Sequence, residues 1–220
     1  MTTLPSTGAV RSFFLEGPAG RLEALLHTGA LRATHAAVVC HPHPLYGGTM
    51  HNKVVFSLTK VLNGFGFPVL RFNFRGTGLS AGEHDFGRGE VADVRTALEW
   101  LYGEFRLPMI FAGFSFGAAT GLKAACPDPR VAGLISAGTP LEVEDRAYGY
   151  GFFAGCTKPK LFVSGGRDQF APREQLQRMV AAVPEPKQLV IIEGADHFFE
   201  GKLAELRAAV EAWTRNTFGI

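Results

Sequence analysis

The chain predicts an α/β fold: about eight strands in a mostly parallel sheet, with helices on both faces. Three observations carry this. Short, continuously apolar runs such as "AAVVC" and "MIFAG" recur between segments of helical period, as strands covered on both faces do. The connections between those runs are long enough for crossover helices, and crossovers make neighbouring strands parallel. Only the opening pair, 12–16 and 21–28, is joined by a tight turn, "GPAG", which predicts an antiparallel hairpin at the sheet edge.

Each element follows from its own pattern. Residues 36–40 are all small or branched apolar residues or cysteine, hence a buried strand. A helix is expected over 51–63, then a strand over 67–74. In the segment 87–105 the residues Val91, Val94, Leu98 and Leu101 recur at helical spacing. "LPMIFAG" is the next strand, and a small-residue helix is expected over 115–126. Strands follow at 131–138, 160–165 and 187–194, with a helix at 173–182 between the last two and an amphipathic helix at 200–218 closing the chain. The 220 residues show no repeat, low-complexity tract or linker, so one domain over 1–220 is expected.

Composition narrows the function classes. With 46% hydrophobic residues the chain can bury a large core. A formal net charge of +2 without a basic cluster gives no reason to expect nucleic acid. No apolar stretch approaches the roughly 20 residues of a membrane span, and "MTTLPSTGAVRS" lacks the apolar centre of a signal peptide. Cys40, Cys126 and Cys156 form an odd set without CxxC spacing, as expected for buried thiols of a cytoplasmic protein. Oligomeric state is not legible.

The chemistry gathers at one corner. Gly113-Phe114-Ser115-Phe116-Gly117 fits G-x-S-x-G and lies between an expected strand and an expected helix. A sharp turn there lifts a serine hydroxyl above the sheet, and the N–H of Phe116 sits at the start of a helix, where an anion is favoured. A serine nucleophile needs a base. His197, in "EGADHFFEG", follows the last strand; Asp168, in "SGGRDQFAP", follows the one before. All three lie at the carboxyl edge where sites of open α/β sheets collect, in the order nucleophile, acid, base. Asp196 and Asp145 are rival acids.

A second oxyanion donor should come from "HPHPLYGGTMHNK", the loop after strand 36–40. Pro42 and Pro44 have no N–H, so His43 is the first choice and Leu45 the second, with Tyr46 also able to donate. His41, His43 and His51 on this proline-stiffened loop diverge without a completing cysteine or carboxylate, so no metal is expected. "RFNFRGTGLS" lacks the third glycine and acidic residue of a dinucleotide site. It reads as a turn bracing the serine loop, and no cofactor is called for. Tyr46, Phe114, Phe170 and Phe198 are the candidate substrate walls, with Phe152, Phe153 and Phe199 as further aromatic residues near the edge.

With "GFSFG", "HPHPLYGG", "RFNFRGTGLS", "GGRDQFAP" and "GADHFF" in view, the chain resembles the α/β-hydrolase superfamily over about residues 12–218. More narrowly, "CHPHPLYGGTMHNKVV" with "NFRGTGLSAGEHD" resembles small bacterial hydrolases without a lid, described as serine esterases. The resemblance implies the triad Ser115, Asp168, His197, an oxyanion hole from Phe116 and the 41–46 loop, and a small-molecule ester as substrate. Here His41-Pro42 stands where the family's usual dipeptide is His-Gly. The gap 139–159, where a cap would be inserted, holds a loop and at most one short helix. The expected activity is hydrolysis of small carboxylic esters through an acyl-enzyme. Thioesterase, lactonase or perhydrolase chemistry on the same site, or a binding protein with a vestigial site, are the alternatives.

Overall fold

The computed structural model describes residues 9–143 and 146–220. The chain opens with β1 (Val10–Gly17) and β2 (Gly20–His27), an antiparallel hairpin. It continues through β3 (Ala36–Cys40), α1 (Lys53–Gly64), β4 (Val69–Phe72), α2 (Gly89–Phe105), β5 (Met109–Phe114), α3 (Phe116–Ala125) and β6 (Val131–Ala137). A two-stranded ribbon, β7 (Glu142–Val143) with β8 (Arg146–Ala147), precedes β9 (Lys160–Gly165), α4 (Arg173–Ala181), β10 (Lys187–Ile192) and α5 (Leu203–Phe218).

Eight strands form one sheet in the order β1-β2-β4-β3-β5-β6-β9-β10. β1, β2 and β4 pair antiparallel; from β4 onward all pairs are parallel. The period-2 alternation divides each central strand between two cores. From β3, Ala36, Val38 and Cys40 face the layer of α2, α3 and α4, while Ala37 and Val39 face α1 and α5. Both faces are therefore dry, which is why these strands read as unbroken apolar runs. α1, α2, α3 and α5 begin one to three residues later than the expected limits, as helix ends commonly vary, and α4 begins at Arg173 as expected.

The 139–159 connection adds the small ribbon, which the sequence pattern did not reveal, and a short 3-10 turn at Gly151–Gly155. Its packing is local. Leu141 N–H donates to Phe170 O, Tyr150 Oη–H donates to Pro140 O, and Phe153 is buried against Phe162. Among the described residues, no cap domain stands over the carboxyl edge of the sheet.

Candidate active site

Ser115 occupies the corner between β5 and α3 with φ 55° and ψ −122°. A non-glycine residue rarely holds a positive φ, and the strain persists only where the surroundings enforce it. Here Ser115 N–H donates to Ala137 O, and Ser115 O accepts from Ala119 N–H. The flanking glycines are needed for proximity. A Cβ on Gly113 would stand 2.6 Å from the Cα of Ala118, and one on Gly117 would stand 2.2 Å from the carbonyl oxygen of His41. Larger residues would push the helix off the strand and off the loop after β3.

The three expected chemical groups converge. His197 Nε2 lies 2.9 Å from Ser115 Oγ, and His197 Nδ1 lies 2.8 Å from Asp168 Oδ2. A carboxylate only accepts, so Nδ1 carries the proton and Nε2 is left to accept from the serine hydroxyl. Asp168 Oδ1 accepts from Phe170 N–H, and Ser164 Oγ–H donates to Oδ2, which together fix the carboxylate. All three residues are buried, with Ser115 the most accessible at 8%. Asp196 turns away to accept from Glu200 N–H. Asp145 lies outside the described residues.

The imidazole of His197 is boxed by Phe114, Phe170 and Phe198, with ring centroids 5.1, 4.7 and 5.2 Å away. Phe114, expected as a substrate wall, is fully buried and is absent from the pocket lining. The alternation of β5 places it on the face of Ile110 and Ala112, beneath the histidine, so it packs under the imidazole rather than facing the pocket. Phe153 and Phe199 are likewise core residues.

Above Ser115 opens a pocket of about 190 Å³, lined by Pro42, His43, Tyr46, Gly47, Gly48, Asn52, Phe116, Tyr148, Phe170, His197 and Phe198. Tyr46, Phe170 and Phe198 thus stand where they were expected. Tyr148 and Asn52 were missed. Tyr148 was legible only as part of the aromatic stretch "AYGYGFF"; Asn52 is the cap of α1, where its Oδ1 accepts from Val54 N–H, and nothing in its local pattern points to a pocket.

The 41–48 loop is held from several sides. His41 is fully buried. Phe74 N–H donates to its Nε2, and its Nδ1 donates to Pro42 O at 2.7 Å. Both nitrogens are thus committed within the protein. Leu45 does not suit the oxyanion role assigned to it: its N–H donates to His43 Nδ1 at 3.3 Å, and the residue is 64% exposed in a 3-10 turn capped by His43. His43 and Phe116 remain, their rings 4.8 Å apart beside Ser115. The "RFNFRGTGLS" segment braces this loop through Phe74 N–H on His41 Nε2 and also meets the serine corner, where the Phe74 and Phe116 ring centroids lie 5.7 Å apart. Asn73 Oδ1 accepts from Met50 N–H, Arg71 Nη1 donates to Met50 O, and Arg75 forks onto Asp93 of α2.

Burial lowers the pKa of His41 to about 4, against an ordinary 6.5, with the neighbouring His43 pushing the same way and the Pro42 hydrogen bond opposing. Between these values the unfolded chain binds the proton and the folded one does not, so stability rises with pH there. Stability should be full above about pH 6.5 and fall as pH drops toward 4, by about 3 kcal/mol for this group alone. Burial also lowers His27 and His35, adding smaller contributions of the same sign. Urea titrations from pH 8 to 4 should show this slope, flatter in His41→Gln; equal stability at pH 7 and pH 5 would contradict it.

Cys40, Cys126 and Cys156 are buried free thiols. Burial, reinforced by a hydrogen bond with Cys156, pushes the Cys126 thiol up to about 12. Such a thiol is a packing group rather than a nucleophile.

A family model described as an alpha/beta hydrolase domain matches residues 36–216. The chain belongs to the α/β-hydrolase family. Among solved structures, this hydrolase is similar to an alpha-beta serine hydrolase homologue from Coxiella burnetii. That pair shares 39% identity and a TM-score of 0.82, over 92% of this chain and 96% of the other. It is also similar to a serine hydrolase without a lid from Xanthomonas campestris, at 32% identity and TM-score 0.84, covering 98% and 97% of the two chains. An uncharacterized protein of Rickettsia prowazekii is 34% identical over 204 residues, 90% of this chain and 85% of that one. Among the described residues, no helix of the hydrolase is long and apolar enough to cross a membrane.

Proposed function

We propose that this hydrolase cleaves small carboxylic esters through an acyl-enzyme on Ser115. The observation that carries the reading is the continuous Asp168–His197–Ser115 hydrogen-bond chain at the floor of a mostly apolar pocket. His197 Nε2 takes the proton as Ser115 Oγ attacks the ester carbonyl, and Asp168 holds the imidazole in the required tautomer and stabilises its positive charge. The N–H groups of Phe116 and His43 receive the oxyanion. The imidazolium then protonates the leaving alcohol, and water, activated by the same imidazole, releases the acid. A resemblance in sequence and fold to a lidless serine hydrolase supports the class of reaction.

The pocket sets the acyl group. Each methylene buried gains only about 0.8 kcal/mol, and only while there is wall to bury it against. A shallow pocket of about 190 Å³ should favour acyl chains of roughly two to six carbons. Without a cap to move, activity should show no jump at a lipid interface. A kcat/KM series over p-nitrophenyl esters from acetate to palmitate tests this. An optimum on the shortest members supports it, and a peak on the laurate-to-palmitate members refutes it.

A further inference from the structure

Behind the oxyanion loop lies a second imidazole–carboxylate pair that the reaction above does not use. His84 and Glu90 have side chains 7% and 0% exposed, with His84 Nδ1 2.8 Å from Glu90 Oε1. Glu90, in the first turn of α2, is held by the N–H groups of Asp85 and Gly87, each 2.8 Å from one of its oxygens. That contact with Glu90 is close but off the N–H axis.

The His84 ring centroid lies 4.8 Å from His43 and 5.5 Å from Phe116, the two residues whose N–H groups face the oxyanion in the reading above. The His43 ring and backbone move as one unit: Nδ1 accepts from Leu45 N–H, and His43 O accepts from both Tyr46 N–H and Gly48 N–H. Whatever fixes that ring therefore fixes the His43 N–H. We propose that His84, set against Glu90, is a positioning residue for the oxyanion hole: it clamps the His43 ring against Phe116 and so sets the direction of the His43 N–H. The inference rests on the acyl-enzyme reading above, because the oxyanion is formed only in acyl-transfer chemistry. His84 touches no substrate; it acts through His43.

The test compares wild type, His84→Ala and His84→Phe. Readouts are kcat and KM on a short-chain p-nitrophenyl ester and the Ki of a short alkylboronic acid, which forms a tetrahedral adduct on a reactive serine. Removing an oxyanion donor costs about 10²–10³-fold, and displacing one costs less. His84→Ala should lower kcat by about 10- to 100-fold with KM within about twofold, and weaken boronate Ki by the same factor. His84→Phe keeps the ring stack without the Glu90 contact and should lose about tenfold. If His84→Ala does not melt cooperatively, His84→Phe decides. Wild-type kcat and Ki in His84→Phe, or a rise in KM alone in either variant, overturns the proposal while leaving the ester-hydrolase reading intact. Wild-type protein that neither turns over esters nor is labelled on Ser115 by a fluorophosphonate overturns both.

Discussion

Ser115→Ala is expected to remove essentially all ester hydrolysis, a loss of about 10⁴-fold or more in kcat/KM, from a protein that remains folded. Among the described residues, the serine hydroxyl hydrogen-bonds toward His197. Alanine carries the same Cβ into the same positive-φ backbone, so the strain at the corner is unchanged. The Ala137 and Ala119 backbone bonds that hold the corner do not involve the side chain. The melting temperature should therefore shift by no more than a few degrees, since one hydroxyl contributes about 1 kcal/mol. A fluorophosphonate should label wild type and not the variant. A folded Ser115→Ala protein with most of its activity would show that the nucleophile lies elsewhere.

Asp168→Asn should come close to that loss, about 10⁴-fold in kcat, by a different route. An asparagine can keep an oxygen toward Phe170 N–H, where Oδ1 now accepts. Its NH₂ then faces His197 Nδ1, where the carboxylate accepts today. A donor in that place drives the imidazole proton to Nε2, and an Nε2–H cannot take a proton from Ser115. Geometry survives while the base is lost. KM should change little, because Asp168 does not line the pocket. A kcat within tenfold of wild type would return the acid role to another carboxylate.

Much of this organisation is written locally. The strand 36–40 was readable to the residue because parallel strands covered on both sides are apolar throughout. G-x-S-x-G was informative because its glycines answer a close approach that any sequence making this corner must permit. Asp168 and His197 were legible because each follows a recognisable strand, and the carboxyl ends of parallel strands share one edge. The ribbon of β7 and β8 escaped notice because each of its strands is two residues long, too short for a period to register.

The sequence by itself determined the α/β architecture, the serine corner and the order of the residues that meet there. Only the tertiary structure decided which aromatic residues reach the pocket and which sit beneath it. Phe114 and Phe170 look alike in composition, yet strand parity sends the first under His197 and the loop after β9 sends the second over it. Only the fold brings His43 from the loop after β3, His84 from the loop after β4 and Phe116 from α3 into one stack. Periodicity reports how a segment meets its own core, a matter of a few residues. Which loop packs on which is set by strand order, and the placement of β3 between β4 and β5 is a long-range pairing that no local pattern records.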